Sequence, residues 1–449
     1  MSTFDLVLRG GSVVTSDGVR HVDIGIADGK IAALAPDLPG GGQAELDAVG
    51  LHIFPGLIDA HVHFNEPGRG DWEGIATGSR ALAVGGGTIF FDMPLNAHPP
   101  TCDGASFDLK LAAALKQSVT DFAFWGGLVP QNLDRLEELA KRGVIGFKAF
   151  MSDSGIDDFA RADNRTLRAG MKQAAALKLP VAVHAESETL TKKLAAEKIA
   201  AGKISIRDYL ESRPVQAELE AIRRALELAG ETGCALHIVH VSSGEGIALV
   251  SVAKSAGVNV TCETCPHYLT LTGEDVERIG APAKCAPPLR ASEIKDALWQ
   301  KLLGGEIDTV GSDHSPSLPE MKTGDNFFKV WGGISGVQHT LPLLFDGIAK
   351  RGLLPAQIAR VTSFNVAERF RLPKTKGRMV VGADADLAVV DLTQPIIVRA
   401  EDLLYRHPQS PYVGRTLTGQ VVQTILRGKT ISKNGRIMST DCGQLIKPV

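Results

Sequence analysis

Between residues 52 and 372 short apolar runs alternate with amphipathic stretches, and this rhythm restricts the fold more than any other feature. Eight runs read as strands: Ile53–His63, Thr88–Met93, Asp121–Leu128, Val144–Met151, Pro180–Glu186, Ala235–Ser242, Asn259–Pro266 and Asp308–Ser315. Segments such as Gln131–Arg142, Thr166–Leu177, Val215–Gly230 and Gly244–Ala256 carry helical spacing between them. Eight strand–helix units in succession predict an α/β fold, a (β/α)8 barrel over residues 53–372. A doubly wound open sheet is the alternative, but no Gly-x-Gly-x-x-Gly follows the first strand.

The two ends of the chain have another texture. Asp17-Gly18 and Asp28-Gly29 each separate alternating apolar segments, the pattern of a β-hairpin. Ala385–Asp391, Val421–Arg427 and Lys429–Met438, with Asn434-Gly435 as a turn, repeat it near the other end. Residues 1–52 and 373–449 are therefore expected to form one small β-sandwich domain. Net charge is −3 with 22% charged residues, and no basic stripe appears, which argues against nucleic acid and anionic membrane as partners. With no signal-peptide pattern and no apolar run of about 18 residues, a cytoplasmic location is expected. Six cysteines in a chain of 449 residues do not suggest a disulfide framework.

In a barrel of this kind the site forms at the carboxyl ends of the strands. The first strand ends in His61-Val62-His63, whose imidazoles share one face because strand side chains alternate. The fourth carries Lys148 among Phe147, Ala149 and Phe150; the fifth ends at His184, the sixth at His240 and the eighth at Asp313. Four histidines, an aspartate and a lysine converging on one cavity point to a metal site for a divalent ion. Lys148 is the odd member, since an ammonium repels a cation. Apolar flanks favour its neutral amine, which can add CO2 and become a carbamate able to bridge two metals.

These residues resemble the ligand set of the amidohydrolase superfamily, in the cyclic amidase group that contains allantoinase, dihydroorotase and hydantoinase. The resemblance covers essentially the whole chain. It implies a distorted (β/α)8 TIM barrel, a β-sandwich of both chain ends and a binuclear metal centre. His61, His63 and Asp313 are then expected on one metal and His184 and His240 on the other, with N6-carboxylated Lys148 as the bridge. Zinc is the metal expected, with cobalt, manganese or iron used by relatives. A hydroxide shared by the two metals would attack the amide, and Asp313 would move its proton to the leaving nitrogen. A homotetramer is a further implication of the likeness.

The loops narrow the substrate to a small neutral molecule. Asp92-Met93-Pro94-Leu95-Asn96 resembles the allantoinase form of the second-strand loop, whereas dihydroorotases commonly have the Asn directly after Pro. Asn65 stands where dihydroorotases carry a carboxylate-binding arginine, although Arg69 is near. Asp153 stands where hydantoinases carry a tyrosine. Lys284–Arg290 and Trp331–Gln338 also look most like the allantoinase form. The expected reaction is ring opening of allantoin to allantoate, with hydantoinase or dihydropyrimidinase next, dihydroorotase third and a non-catalytic scaffold last. Asn96, Cys285, Pro287, Gly332 and Gly333 are the expected substrate contacts.

Other signals are read as structural. Cys262-Glu-Thr-Cys265 lies inside a strand without a second pair, and His267 is not needed to complete the ligand set. His237 and His339 are read as packing residues, and His314 as a candidate for the pocket wall. Gly85-Gly86-Gly87 reads as a helix end running into the second strand, not as a phosphate cradle.

Overall fold

The computed structural model describes residues 4–440 and 443–449. Parallel strands follow one another around a barrel: Leu57–Val62, Gly87–Asp92, Asp121–Phe124, Phe147–Phe150, Val181–His184, Leu236–Ile238, Val260–Thr264 and Thr309–Val310. Every pairing between neighbours is parallel. The third strand bends at Trp125, so that Asp121–Phe124 pairs with the second strand and Gly126–Gly127 with the fourth. The eighth strand returns to the first through the parallel bridge of Val62 to His314. This is the distorted (β/α)8 barrel expected from the alternation, with strands short enough that side chains do part of the closing.

Helices Asn164–Ala176, Val215–Thr232 and Gly244–Ser255 lie where helical spacing places them. The Gln131–Arg142 stretch is divided into a 3₁₀ turn at Leu133–Arg135 and a helix at Leu136–Arg142. Asp163 and Ser243 cap their helices by accepting from the Thr166 and Gly246 N–H groups. Glycines 85–87 lead from helix Ile75–Val84 into the second strand, as expected.

One expectation is corrected. The apolar run Ile53–His63 is two strands in two sheets, not one. His52–Pro55 pairs antiparallel with Leu387–Val390 of the sandwich, and Leu57–Val62 begins the barrel. The break falls at Gly56, where a Cβ would lie 2.3 Å from Thr88 Cγ2. Periodicity cannot reveal it, because both strands are buried on both faces and read as one apolar stretch.

Strands from both chain ends share a seven-stranded sheet that runs Arg436–Ile437, Lys429–Lys433, Thr416–Leu426, Leu387–Ile397, His52–Pro55, Ser12–Val14 and Val19–His21. A four-stranded sheet built on Phe4–Arg9 faces it, and Leu8, Ile24, Ile26, Ile53, Leu387, Val389 and Ile425 fill the space between. The turns Asp28-Gly29 and Asn434-Gly435 have positive φ at both residues, which a two-residue hairpin of this hand requires.

Sandwich and barrel are joined through a buried charge cluster. Lys376 Nζ lies 2.8 Å from Asp121 at the start of the third barrel strand, 2.8 Å from Asp386 and 3.0 Å from Asp384. Arg427 Nη1 also binds Asp121, at 2.6 Å from Oδ1. Burial opposes the charge on Lys376, but Asp386 and Asp121 outweigh it and hold the ammonium well above its ordinary range. Replacing Lys376 with Met leaves these carboxylates buried and mutually repelling. A loss of about 3–5 kcal/mol is expected from urea unfolding; an unchanged midpoint would mean that the cluster does not join the two parts.

Candidate metal centre

Five of the six strand-end residues, His61, His63, His184, His240 and Asp313, line one cavity, and Lys148 is buried without reaching its wall. Lys148, His61, His63, His184 and His240 are buried, and the Asp313 side chain is 13% exposed. His61 Nε2 and His63 Nε2 lie 3.3 and 3.5 Å from Asp313 Oδ1. These three residues each offer one ligand atom within 4.8 Å of the others, a grouping able to hold a divalent cation. On the other side His184 Nδ1 faces His240 Nε2 at 3.0 Å. The two halves adjoin, with ring centroids of His61 and His240 5.5 Å apart.

Carboxylates behind the histidines decide which nitrogens are presented. His61 Nδ1–H donates to Glu263 Oε1 at 2.6 Å, which leaves Nε2 with its lone pair toward Asp313. His184 Nε2–H donates to Glu186 Oε2 at 2.8 Å, and Arg213 Nη2 holds the same oxygen at 2.8 Å. Nδ1 of His184 therefore carries a lone pair toward His240, and a proton or a cation must lie between the two rings. Burial pushes the Glu263 carboxyl up, but the His61 and His237 rings outweigh it and hold it at about 2. Burial likewise opposes ionisation of Glu186 and Asp313. Arg213 and His184 hold the first, and His61, His63 and His240 the second, well below the usual carboxylate range. The anionic side of the site is thus fixed before any cation arrives.

Lys148 is the unpaired member. It is fully buried, its Nζ has no hydrogen-bond partner among the described residues, and the Phe150 ring centroid is 5.2 Å away. Burial lowers it to about 8 against the attraction of Asp313 and Glu263. An ammonium left bare at this depth costs several kcal/mol, so the neutral amine or a modified, anionic nitrogen suits the position better. The donor set as a whole fits a pair of divalent cations: two imidazole nitrogens with lone pairs turned inward, the further rings of His63 and His240, an ionised carboxylate and an amine without a hydrogen-bond partner among the described residues.

Backbone strain marks the same place. His240 and Asp313 have φ of 41° and 45°, and Asn65 and Asn96 in the flanking loops both have 67°. Non-glycine residues adopt this region at a cost of order 1–3 kcal/mol. Asp59, buried in the first strand, accepts from the Ser312 and His61 N–H groups at 3.0 and 3.2 Å. Burial raises it to about 7. His63 N–H donates to His314 O at 2.8 Å, so the seam between first and eighth strands closes beside the ligands. Asp92 Oδ1 accepts the Phe64 N–H at 2.7 Å and is itself paired with buried Lys110, which fixes the turn after His63.

A cavity of about 690 Å³ opens over these residues. Asn96, Cys285, Gly332 and Gly333 line it. Pro287 is not on the wall: its carbonyl accepts from Tyr268 Oη at 2.7 Å and from Cys285 Sγ at 3.1 Å. His314 also stays behind the wall, where its Nδ1 accepts from Gly336 N–H at 3.1 Å. His237 donates or accepts at Thr261 Oγ1, 2.8 Å away, and His339 is buried as a packing residue. Cys262 and Cys265 are buried free thiols.

Asp59, Glu186 and Glu263 escape the reading of strand ends, although each has a legible signal. Each is an acidic residue inside or beside an apolar strand, the feature that singles out Lys148. Their partners are not legible, since Glu263 lies 202 residues from His61 and Ser312 lies 253 from Asp59.

Comparison with known proteins agrees with this geometry. A sequence model described as the amidohydrolase family matches residues 52–431. A protein from Rubrobacter xylanophilus named allantoinase is 57% identical over 449 residues, covering 100% of this chain and 98% of its own. Another from Deinococcus radiodurans with the same name is 52% identical over 448 residues, covering 99% of each. Among solved structures, the L-hydantoinase (dihydropyrimidinase) of Arthrobacter aurescens superposes with a TM-score of 0.97 at 35% identity, covering 99% of this chain and all of its own.

Glu263→Gln tests the tie between carboxylate and ligand. The amide keeps the size but not the charge, so His61 loses its fixed orientation. Metal affinity is expected to fall about 10–100-fold in chelator competition, with circular dichroism unchanged; wild-type affinity would show that Glu263 does not orient the ligand.

Proposed function

The chain belongs to the amidohydrolase family, and from that membership we propose that it is an allantoinase, opening the hydantoin ring of allantoin to allantoate. Full-length identity of 57% to a protein of that name carries the reading. The cavity supports it. Among the described residues no arginine of the first-strand loop lines the cavity: Asn65 donates to Pro316 O, and Arg69 is turned onto the Asn96 and Ala97 carbonyls and Asp158. Arg213 does line the cavity, but it is committed to Glu186. A wall with no free bidentate cation suits a neutral ureide better than a carboxylate substrate.

In this reading His61, His63 and Asp313 would hold one divalent cation and His184 and His240 a second, zinc being the metal expected, and carboxylated Lys148 would be a ligand shared by both sites. When bound, such ions supply a water acidic enough to act as nucleophile at neutral pH and polarise the scissile carbonyl. The chain's own part follows from its geometry. Lys148 first loses its ammonium proton; the neutral Nζ then adds to the carbon of CO2 and releases a second proton, which leaves a carbamate anion in place of a costly buried cation. Ionised Asp313 accepts a proton from the attacking water on Oδ and passes it to the ring nitrogen as the carbon–nitrogen bond breaks. Glu263 and Glu186 keep the imidazoles aligned throughout. Asn96 and the backbone of Cys285, Gly332 and Gly333 meet the ring and its ureido arm. The resemblance also supports a cytoplasmic homotetramer in purine degradation, and among the described residues no helix is long and apolar enough to cross a membrane.

The backbone match to an L-hydantoinase favours a second reading, hydrolysis of simple hydantoins or dihydropyrimidines. Steady-state hydrolysis of allantoin, hydantoin, dihydrouracil and dihydroorotate by the zinc-loaded enzyme separates the two. Allantoin is expected to lead in kcat/KM; a lead by hydantoin or dihydrouracil would favour the second reading.

Two further outcomes test the residue roles. Lys148→Ala is expected to lose both metals and activity, with partial recovery on adding a short carboxylic acid; retention of two metals would contradict the bridging role. Because Lys148 is lowered to about 8, its neutral fraction rises as pH climbs through that value. Metal-stripped enzyme supplied with zinc and bicarbonate is therefore expected to regain activity faster at pH 8.5 than at 6.5. Equal rates would mean that the free amine does not limit assembly.

A further inference from the structure

Two lysines beside the cavity have no part in the reaction and, among the described residues, no carboxylate partner. Lys284 is buried, and its ammonium donates to the Phe327 and Val330 carbonyls. The Tyr209 ring centroid lies 4.3 Å from it, and Tyr209 Oη in turn donates to Cys285 O at 3.0 Å. Lys322 Nζ donates to Gly333 O at 2.6 Å, Trp331 O at 3.0 Å and Ala281 O at 3.5 Å. Five carbonyls thus converge on two ammonium groups, four of them from residues 327–333.

That segment is a wall of the active cavity. Val330, Trp331, Gly332 and Gly333 line it opposite the ligand residues. Gly333 N–H donates to Lys284 O at 2.7 Å, and a Cβ on Gly333 would meet Ser315 O at 2.1 Å, two residues past Asp313. Between the two anchored carbonyls, Gly332 has neither its N–H nor its C=O hydrogen-bonded among the described residues. Drawing the flanking carbonyls back into the lysines leaves the Gly332 peptide groups as the loop's free donor and acceptor.

We propose that Lys284 and Lys322 are positioning residues that hold the loop of residues 327–333 so that Gly332 presents its N–H and C=O to the amide groups of a neutral cyclic ureide. Lysine suits the task because one ammonium gathers several carbonyls without a fixed plane. A carboxylate partner would instead compete for its donors. The proposal rests on the proposed function for the identity of the substrate.

The test uses full-length, zinc-loaded Lys284→Met and Lys322→Met. Both remove the charge and donors and keep most of the stem. For allantoin KM is expected to rise on the order of tenfold while kcat stays within about threefold, the pattern of lost uniform binding. Metal content should be unchanged, and Lys322→Arg, which keeps donors and charge, should recover part of the KM. If Lys284→Met does not fold, Lys322→Met at the half-buried side of the loop carries the test. An unchanged KM with only a lower Tm would overturn the proposal, as would failure of Lys322→Arg to improve on Lys322→Met. Wild-type enzyme in the same assay keeps the two failures apart: if it ignores allantoin, the substrate reading falls, and the variants are assayed with the cyclic amide it does hydrolyse.

Discussion

A lysine buried without a partner cannot keep its proton cheaply, and the site is organised around that constraint. Lys148 lies fully inside the barrel with no acceptor for its Nζ among the described residues. Its neighbours do not solve the problem by pairing with it. Asp313 is drawn to His61 and His63, Glu263 to His61, and Glu186 to His184 and Arg213. The carbamate proposed for Lys148 would resolve the constraint, leaving an anion where two bound metals would need one. His61 and His184, whose inward nitrogens are freed by Glu263 and Glu186 at their backs, are already turned toward such a group.

Holding this arrangement takes more than the barrel's main-chain ladder. Between the first and eighth strands the pairing is reduced to a single bridge, and side chains complete it: Asp59 takes the Ser312 N–H, and Ser312 Oγ donates to His61 O at 3.3 Å. The seam that is weakest in main-chain terms is where His61, His63 and Asp313 meet. Left-handed φ at His240 and Asp313 aims both side chains into the cavity. Elsewhere the structure over-determines those conformations, with Glu218 accepting the Ser242 N–H at 2.7 Å just after His240. Strain at the ligands is thus balanced by buried hydrogen bonds one or two residues away.

The barrel and its six strand-end residues were legible because each rests on local pattern. Alternation marks the strands, and chemistry at a strand's end needs only its own few residues to be noticed. The hairpin turns were legible for the same reason. What was hidden depends on distance. The division of Ile53–His63 at Gly56 follows from Thr88 lying against it. The supporting carboxylates acquire meaning only once the barrel places Glu263 against His61 and Asp92 against Phe64. Pro287 illustrates the opposite error. Cys285 and Ala286 of its loop line the cavity, but Pro287 does not, and its carbonyl accepts from Tyr268. Sequence proximity to a cavity does not say which way a peptide group points.

The most direct test of the central claim is carbon-13 NMR of the metal-loaded enzyme equilibrated with labelled bicarbonate, with metal content measured on the same sample. The account predicts one protein-bound carbamate signal accompanied by two metals per chain, lost when the metals are stripped. Two bound metals with no carbamate signal would contradict it, because Lys148 would then sit in the site without bridging anything.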